Sequence, residues 1–446
     1  MTPTMKPSRY NTFIDLEGNR RLAFNSASGT LAEIYPEDNE IVQRLLLDAA
    51  QPKTAKEQEI YNVLIEGGYI VDDAVDELTF LKVKNRTRRY DRSTFMLTVA
   101  PTLACNFRCD YCFENQRKEK MSEEMEQALL TFSERHIKKA EMAVLTWFGG
   151  EPTLCIPTIE RIQTGMALLA QKYGVAFEPS SIITNGYLMD RKMAERLKAA
   201  GISEAQVTLD GPREIHNKRR KLQNGGGTYD RILANVRETA DILKIVIRVN
   251  VDKSNYLGAL AILDDLRRDD LLSKVYIYFA QVNDADGVCA DIKGQCLTTE
   301  EFARNQVKMY RDLIDNGFYQ IEYPSIAPGG HCGADTDGSF VVTPTGDIFK
   351  CWEEIAADKS LSIGNIMQEE PAPFQKANWN KYMGWDPFEK KSCRECDVLP
   401  LCMGGCPKHG MVENSRDIGS CCNWKFNLKD MMVLRYMCDQ RKEVKN

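Results

Sequence analysis

The 446-residue sequence has no apolar run near the roughly 18 residues that a membrane-spanning helix needs. Its opening residues, MTPTMKPSRYNTF, lack the apolar core of an export signal. Basic residues are not in excess either, because 58 Lys and Arg face 64 Asp and Glu, for a net charge of −6. A general nucleic-acid binder would need the opposite balance. These absences predict a cytoplasmic protein that has neither a membrane nor a nucleic acid as its partner.

Histidine is scarce, with four residues that form no ligand-like pair, whereas cysteine is abundant, with 15 residues. Disulfide frameworks belong mainly to small secreted domains. This chain is large, lacks an export signal and carries its cysteines in clusters. The pattern therefore predicts thiolate metal ligands rather than disulfides.

The first cysteine cluster is Cys105, Cys109 and Cys112, in the run ACNFRCDYCFE. Iron–sulfur clusters are normally held by four cysteines, so three of them leave one iron without a protein ligand. A small molecule can bind and react at such an open position. The apolar run LTVAPTLA before the triad predicts a buried strand, which places the cysteines at its carboxyl end. A zinc site is the alternative, although zinc favours paired C-x2-C hooks.

This spacing, with the aromatic Tyr111 inside it, resembles that of radical S-adenosylmethionine (radical SAM) enzymes. The resemblance implies a [4Fe–4S] cluster whose open iron binds the amino and carboxylate groups of SAM. An electron from the cluster then cleaves SAM to a 5′-deoxyadenosyl radical, which abstracts a hydrogen atom. A reductase such as flavodoxin or ferredoxin is the implied electron donor.

Residues 93–300 alternate short apolar strands with amphipathic helices, which indicates parallel βα units. The predicted strands are 94–101, 143–148, 180–184, 205–209, 245–251 and 275–281. Six units predict an α/β fold with a partial (β/α)6 TIM-like barrel, which the resemblance also implies. Catalytic residues in such barrels gather at the carboxyl ends of the strands.

Residues 1–92 contain no cysteine and predict a hairpin, two helices and a returning strand. This winged-helix-like pattern resembles the leader-peptide recognition domains of peptide-modifying radical enzymes, which capture an extended peptide at a strand edge. Residues 301–446 become rich in glycine, proline and cysteine, which predicts a third, cysteine-rich domain.

Several residues at predicted strand ends match the family's SAM-binding positions. Gly149, Gly150 and Glu151 correspond to the motif that contacts the SAM amino group. Arginine suits a carboxylate because its planar fork pairs with both oxygens, and Arg220 is the preferred candidate, with Arg219 as its competitor. The remaining SAM candidates are Asn185, Thr208 and Arg248, of which Arg248 is alternatively a charge at the edge of the core.

The C-terminal cysteines resemble the SPASM extension of radical SAM enzymes. Their pattern is C-x13-G-x4-C, then C-x2-C-x5-C-x3-C and a final cysteine, for which a zinc ribbon is the alternative. The resemblance implies two auxiliary four-iron clusters, three clusters in all. The implied ligands are Cys332, Cys351 and Cys406 for auxiliary cluster I, and Cys393, Cys396, Cys402 and Cys422, in preference to Cys421, for auxiliary cluster II. The fourth position of cluster I is either open to a substrate thiolate or filled by Cys421, Cys438, Cys289 or Cys296.

SPASM enzymes mostly modify peptides or proteins, so the implied partner is a precursor peptide with a leader sequence. In the sulfatase maturases of this group an Asp follows the second SPASM cysteine and acts as general base, whereas Trp352 follows Cys351 here. This departure favours a maturase that joins a cysteine sulfur to carbon. The alternatives are carbon–carbon cross-linking, sulfatase-type maturation and a non-catalytic electron carrier. The candidate bases are Asp347, Glu353 and Glu354.

Overall fold

The computed structural model describes residues 4–47, 51–112, 118–282, 290–326, 332–355, 358–411 and 420–443. Its N-terminal region contains a three-stranded antiparallel sheet, a separate two-stranded pair and three helices. The elements are β1 (Met5–Pro7), β2 (Asn11–Asp15), β3 (Arg21–Asn25), β4 (Leu31–Ile34), α1 (Asn39–Leu47), α2 (Ala55–Glu66), β5 (Ile70–Asp72) and α3 (Glu77–Tyr90).

The predicted hairpin is present as β2 and β3, and Gly18 and Asn19 turn the chain between them with positive φ angles. Two features differ from the sequence prediction. β4 adds a third strand beside β3, and the charged segment before the barrel forms the helix α3. Asp76 caps α3 by accepting hydrogen bonds from two backbone amides of its first turn. The winged-helix interpretation of this region stays a prediction.

The central region is a partial barrel of six parallel strands, which confirms the predicted fold class. The sheet runs β14-β13-β11-β10-β8-β6, so that strands successive along the chain lie side by side apart from short accessory pairs. The elements are β6 (Thr94–Val99), β7 (Phe107–Cys109), α4 (Glu123–Ile137), β8 (Met142–Trp147), α5 (Ile156–Tyr173), β9 (Ala176–Phe177), β10 (Ser180–Thr184), α6 (Arg191–Ala199), β11 (Ile202–Thr208), α7 (Arg213–Arg219), β12 (Arg220–Leu222), α8 (Tyr229–Thr239), β13 (Lys244–Val251), α9 (Ile262–Arg268), β14 (Val275–Gln281) and α10 (Thr299–Asp315).

The barrel strands bury one face of apolar residues and carry more polar residues on the other. Ile245 and Ile247 of β13 are fully buried, as are Ala205 and Val207 of the neighbouring β11. The alternate residues on these strands include Thr208 and Arg248, which are paired in register. Polar side chains therefore lie on the face opposite to the apolar core.

The C-terminal region continues the same sheet. β15 pairs in parallel with β6, with Val342 opposite Val99, and β16 and β17 follow it in antiparallel order. The proposed boundary at residue 300 stays a prediction, and the sheet itself crosses it. The elements are β15 (Ser339–Val342), β16 (Asp347–Phe349), β17 (Gly364–Asn365), α11 (Pro373–Gly384), α12 (Lys391–Arg394), α13 (Leu399–Cys402), α14 (Pro407–Gly410) and α15 (Trp424–Glu443). No helix within the described ranges is long and apolar enough to cross a membrane.

Arg89 fastens the N-terminal region to the C-terminal region. Its guanidinium is buried and donates to the backbone carbonyls of Asp335, Tyr382, Met383 and Trp385. It also forms an ion pair with the Asp335 carboxylate at 3.2 Å. A planar group with five donors is well suited to bind several carbonyls at once. α3 and the segment around residue 384 are thus held together by one side chain.

Arg89→Met should lower the free energy of unfolding by about 3–5 kcal/mol, because it leaves a buried carboxylate and several buried carbonyls without their donor. Arg86→Met is the matched control, since Arg86 lies on the same helix and its ion pair with Asp386 is half exposed. Losing an exposed pair costs at most about 1 kcal/mol. Anaerobic thermal unfolding measures both variants. Equal midpoints for the two variants would contradict the role given to Arg89.

Candidate active site and cysteine clusters

The cysteine triad lies at the carboxyl end of β6, as the sequence predicts for the loop that follows it. Cys105 is in the loop, Cys109 ends β7, and the amide of Cys112 donates to the carbonyl of Cys109 at 3.3 Å. β7 pairs with β12, and this pairing sets Arg220 directly opposite Cys109. All three thiols are partly buried. The fold therefore brings the triad and the preferred arginine together.

The three thiols are close neighbours. The pKa of the Cys105 thiol is raised by burial, then by the Glu151 carboxylate and by the other two cysteines. Among the described residues, however, no three His, Cys, Asp or Glu side chains converge tightly enough to hold a single metal ion. A four-iron cluster offers each thiolate its own iron, whereas zinc gathers its ligands around one ion.

Gly149 and Gly150 lie against the backbone of the loop that carries the triad. Gly149 has φ +106°, and a Cβ on Gly150 would lie 2.3 Å from the carbonyl oxygen of Ala104. The amides of Gly150 and Glu151 donate to the carbonyls of Thr102 and Ala104. Glycine is needed here because two backbone segments touch.

The Glu151 carboxylate is fully buried and already occupied by protein donors. It accepts hydrogen bonds from the Thr153 amide at 3.0 Å, the Thr184 hydroxyl at 2.7 Å and the Asn185 amide at 2.7 Å. Glu151 thus ties the end of β8 to the end of β10. The side chain of Asn185 lies beside the triad, with its amide nitrogen 2.7 Å from the Asn106 side-chain oxygen and 3.8 Å from Cys105 Sγ.

Tyr111 connects the triad loop to three strand ends. Burial raises the pKa of its hydroxyl, which therefore keeps its proton and donates it to Asp210. The same oxygen accepts from Arg220 at 2.7 Å and from the Asn250 side chain at 3.1 Å. One donor and two acceptor positions are all that a phenol offers, so its bonding capacity is filled.

Arg219 and Arg220 are adjacent but have different environments. Arg219 is buried between two carboxylates, with Nε 3.2 Å from Asp210 and a terminal nitrogen 2.6 Å from Asp252. Burial alone would raise the pKa of Asp210, but Arg220 and Arg219 hold it below its usual value. The two carboxylates thus act as the buried counter-ions of Arg219.

Arg220 forms no ion pair with a carboxylate within the described part of the chain. Its guanidinium lies 5.8 Å from the Phe107 ring centre, and its buried Nε has no hydrogen-bond partner there. The Cys109 thiolate is its strongest stabilising charge and helps to raise its pKa against the effect of burial. A buried polar nitrogen without a partner indicates a missing acceptor. Of the two arginines, Arg220 is the one placed to bind an anion next to the triad.

The other two SAM candidates lie on neighbouring strands. Thr208 ends β11 and is buried. Arg248, opposite it on β13, donates to the Asn250 side chain at 2.8 Å and to the Tyr278 hydroxyl at 3.4 Å. Arg248 is therefore part of the polar face of the barrel rather than a charge at the molecular surface. Its role toward SAM stays a prediction.

The cysteines assigned to auxiliary cluster I form one group. Burial, followed by Asp335 and Cys406, raises the pKa of Cys332 to about 12. The pKa of Cys351 is raised by burial, Glu353, Glu354 and Cys332. His409 hydrogen-bonds Cys406, which raises the pKa of the imidazole. Of the possible fourth ligands, Cys289 lies outside the described residues, Cys296 lies near Tyr111, and Cys438 is fully buried in α15.

The cysteines assigned to auxiliary cluster II form a second group of five thiols for four positions. The pKa of Cys421 is raised to about 11 by burial and by Cys402, Cys393 and Cys396. Cys422 shares a hydrogen bond with Cys402, which lowers its own pKa. Lys425 Nζ donates to Cys396 Sγ at 3.2 Å. Both Cys421 and Cys422 therefore lie in the group, and the preference for Cys422 stays a prediction.

The three candidate bases all have protein partners. Asp347 accepts from Thr345 and Asn365 and pairs with Lys359 at 3.1 Å, which ties it to the hairpin turn. Glu353 pairs with Lys408 at 3.4 Å. Glu354 is buried and accepts from the Tyr382 hydroxyl at 2.7 Å. None of the three has a geometry that singles it out as a base.

Sequence reasoning missed the residues that hold the site together. His216 is fully buried, and burial lowers its pKa to about 3, so the ring is neutral. Its Nδ1 accepts from the Asp210 amide at 3.2 Å, so its Nε2 carries the proton and donates to Thr228 at 3.0 Å. The Thr228 hydroxyl in turn donates to the carbonyl of Arg220. The available signal was the polar run TLDGPREIHNKRR immediately after a buried strand.

Comparison with known proteins finds similarity to radical SAM enzymes. Residues 99–255 match the model of the radical SAM superfamily. The chain is 23% identical over 495 aligned positions to the radical SAM cyclopropyl synthase TigE of Paramaledivibacter caminithermalis, with 98% of both chains covered. It is 24% identical to a cysteine-type anaerobic sulfatase-maturating enzyme of Clostridium novyi, over 71% of this chain and 89% of that one.

A crystal structure of Streptococcus suis SuiB bound to precursor peptide SuiA has a similar fold. The TM-score is 0.51 at 14% identity, and the match covers 94% of this chain and 98% of that one. The superfamily works with a [4Fe–4S] cluster and SAM, which the triad and the unpartnered Arg220 Nε fit. Residues 99–255 therefore form a radical SAM domain, and the chain is similar along nearly its whole length to a radical SAM enzyme.

Proposed function

We propose that the chain is a maturase of a ribosomally made precursor peptide and that it closes a cross-link between a cysteine sulfur and a carbon. The observation that carries the peptide assignment is the extent of the similarity to SuiB, which was solved with its precursor peptide and matches 94% of this chain. That extent includes most of the N-terminal region, which a small-metabolite enzyme would not need.

Cys105, Cys109 and Cys112 would hold the SAM cluster. When bound, this cluster supplies the electron that cleaves SAM to the 5′-deoxyadenosyl radical. Arg220 would pair with the SAM carboxylate, since, unlike Arg219, it has no carboxylate partner among the described residues and its buried Nε has no hydrogen-bond partner there. Asn185 and Thr208 would contact SAM from the ends of β10 and β11.

Gly149, Gly150 and Glu151 would act mainly through the backbone. The Glu151 carboxylate already accepts hydrogen bonds from Thr153, Thr184 and Asn185. The SAM amino group would therefore bind to the backbone of this loop rather than to the carboxylate. Arg248 would contribute positive charge from the polar face of the barrel. The glycines and Glu151 follow the carboxyl end of β8, and Arg248 lies on β13 opposite Thr208, the last residue of β11.

The two C-terminal thiol groups would hold auxiliary clusters I and II. Cross-linking removes two hydrogens from the peptide. One leaves as an atom in 5′-deoxyadenosine, and the other leaves as a proton and an electron, for which the auxiliary sites offer an acceptor. Cys332, which lies near both Cys351 and Cys406, would hold auxiliary cluster I together with them, and a substrate thiolate would take the fourth position.

The N-terminal region would bind the leader sequence of the precursor. β4 is an outer strand of its sheet and pairs with β3 alone among the described strands. An outer strand offers backbone donors and acceptors to an extended peptide, which then adds as a further strand. This binding would hold the rest of the precursor near the barrel.

Trp352 separates this proposal from sulfatase-type maturation. The indole follows Cys351, where sulfatase maturases place the carboxylate of their general base, and an indole cannot accept a proton. Its ring is 45% exposed and lies 5.7 Å from the ring of Phe148, which precedes Gly149. Sulfatase-type maturation and carbon–carbon cross-linking remain the second candidates, the first because of the relative from Clostridium novyi.

Incubation of reduced enzyme with SAM and a leader-bearing, cysteine-containing precursor encoded next to the gene should remove the mass of two hydrogens per cross-link. Mass spectrometry after thiol alkylation measures it, since a thioether sulfur no longer reacts with iodoacetamide. A product that has lost the two hydrogens but still alkylates indicates carbon–carbon cross-linking. SAM cleavage without any loss of mass from the precursor contradicts the proposal, and turnover of a sulfatase peptide points to the alternative.

Arg220→Gln should weaken SAM binding by about 10- to 100-fold, because a charge-assisted pair contributes roughly 1.5–3 kcal/mol. Arg219→Gln is the matched control. It leaves Asp210 and Asp252 buried without their counter-ion, so it should lower stability by about 3–5 kcal/mol and affect SAM binding less. Anaerobic equilibrium dialysis and thermal unfolding measure the two effects. If Arg220→Gln binds SAM with wild-type affinity and Arg219→Gln binds it more weakly, then Arg219 rather than Arg220 binds the SAM carboxylate.

A further inference from the structure

Tyr10 has a buried hydroxyl that is not paired with any other residue that the structure describes. The side chain is 1% exposed, and its oxygen forms no hydrogen bond within the described residues. A buried hydroxyl without a partner costs free energy, so native proteins usually supply one. The question is which group near Tyr10 is able to accept its proton.

Tyr10 lies in the turn between β1 and β2, and this turn is fixed to the loop of auxiliary cluster II. Ser26 donates its amide to the Tyr10 carbonyl at 3.1 Å and its hydroxyl to the Asp397 carbonyl. Arg9 donates to the Arg394 carbonyl at 2.5 Å. Arg394 and Asp397 directly follow Cys393 and Cys396. The N-terminal region is therefore bound to the very segment that carries two proposed ligands.

The Tyr10 side chain belongs to a buried cluster that contains these two cysteines. The members are Tyr10, Leu81, Phe388, Cys393, Leu399 and Met403, with Ala27, Leu78 and Cys396 partly buried against them. The aliphatic and aromatic side chains accept no hydrogen bond, and a thioether is a weak acceptor. The nearby carboxylates of Glu77 and Asp76 already accept hydrogen bonds from Ser8 and Thr79. Within the buried cluster itself, the sulfurs of Cys393 and Cys396 are the side-chain acceptors.

A second hydrogen-bond donor, from the C-terminal part of the chain, contacts one of these two cysteines. Lys425 of α15 donates to Cys396 Sγ at 3.2 Å. Hydrogen bonds to the sulfurs of an iron–sulfur cluster are one of the factors that set its reduction potential. A donor favours the more negative, reduced form, and so it raises the potential.

We propose that the Tyr10 hydroxyl donates a hydrogen bond to a sulfur of auxiliary cluster II, and that the N-terminal region thereby sets the reduction potential of this cluster. The inference rests on the proposed assignment of cluster II to Cys393, Cys396 and Cys402. It makes Tyr10 a positioning residue for an electron acceptor, and it links the leader-binding region to the redox chemistry of the peptide's modification.

The test uses the full-length chain with Cys105, Cys109 and Cys112 changed to Ala. Its reduction potentials are measured by a potentiometric titration that is monitored by electron paramagnetic resonance. Only auxiliary signals remain in that background. Tyr10→Phe should lower the midpoint reduction potential of one auxiliary cluster by about 59 mV. For a one-electron couple, this shift corresponds to an about tenfold higher ratio of oxidised to reduced cluster at a fixed potential. Lys425→Met should shift the same signal in the same direction, because it removes a charged donor.

Tyr61→Phe is the matched control. Its hydroxyl is also buried and has no partner in the described structure, but it packs with Val42, Leu45 and Leu64 in a cluster without cysteine. It should leave both auxiliary potentials unchanged. A Tyr10→Phe variant with wild-type potentials, while Lys425→Met shifts one, overturns the proposal for Tyr10. If the variant with all three triad cysteines changed to Ala contains no iron, the proposed assignment of the auxiliary clusters is wrong. Neither this result nor unchanged potentials in Tyr10→Phe bears on SAM cleavage by the enzyme with an intact triad.

Discussion

The buried carboxylate of Asp210 is the point on which the active site depends. It receives the Tyr111 hydroxyl from the triad loop, the Arg219 guanidinium and the Asn250 amide of β13. An ionised carboxylate is stable in the interior only when charges and donors surround it. Because these donors come from separate segments, the same carboxylate fixes the triad loop relative to the barrel. Arg219 is paired with Asp210 and Asp252, so of the two arginines Arg220 is the one able to bind a ligand.

Within the described residues, strand pairing, packed side chains and hydrogen bonds join the three regions. β15 extends the barrel sheet at β6, the strand that leads into the triad. Val341 and Phe349 then pack with Ala100 and Leu103 in one buried cluster. Arg89 and the turn around Tyr10 attach the N-terminal region to the C-terminal one. The cysteine triad, the C-terminal cysteines and the N-terminal region are thus parts of one packed unit.

Much of this architecture follows from sequence patterns. The strand predicted at 275–281 is β14 without change, because a run such as VYIYFAQ is bounded by charged helices. The Gly149–Gly150 turn lies against the loop that carries the triad, since the carboxyl ends of parallel strands meet at one edge. β4 was missed because LAEI is short and half polar, and α3 because its many charges conceal a narrow apolar stripe.

The division of labour between neighbouring residues could not be read from the sequence. Arg219 and Arg220 are identical in type and adjacent, and only the register of β12 against β7 separates them. Glu151 matches a SAM-binding motif, yet its carboxylate bonds to Thr184 and Asn185. Such roles depend on which donors and acceptors are already paired in three dimensions, and a linear pattern does not contain that information.

The central claim is that Cys105, Cys109 and Cys112 hold the cluster that cleaves SAM. The most direct measurement is the yield of 5′-deoxyadenosine, together with the iron content, of the variant in which all three are Ala, reconstituted anaerobically and reduced with dithionite. The account predicts that 5′-deoxyadenosine disappears while the iron of the C-terminal cysteines is retained. Continued formation of 5′-deoxyadenosine by this variant would contradict it.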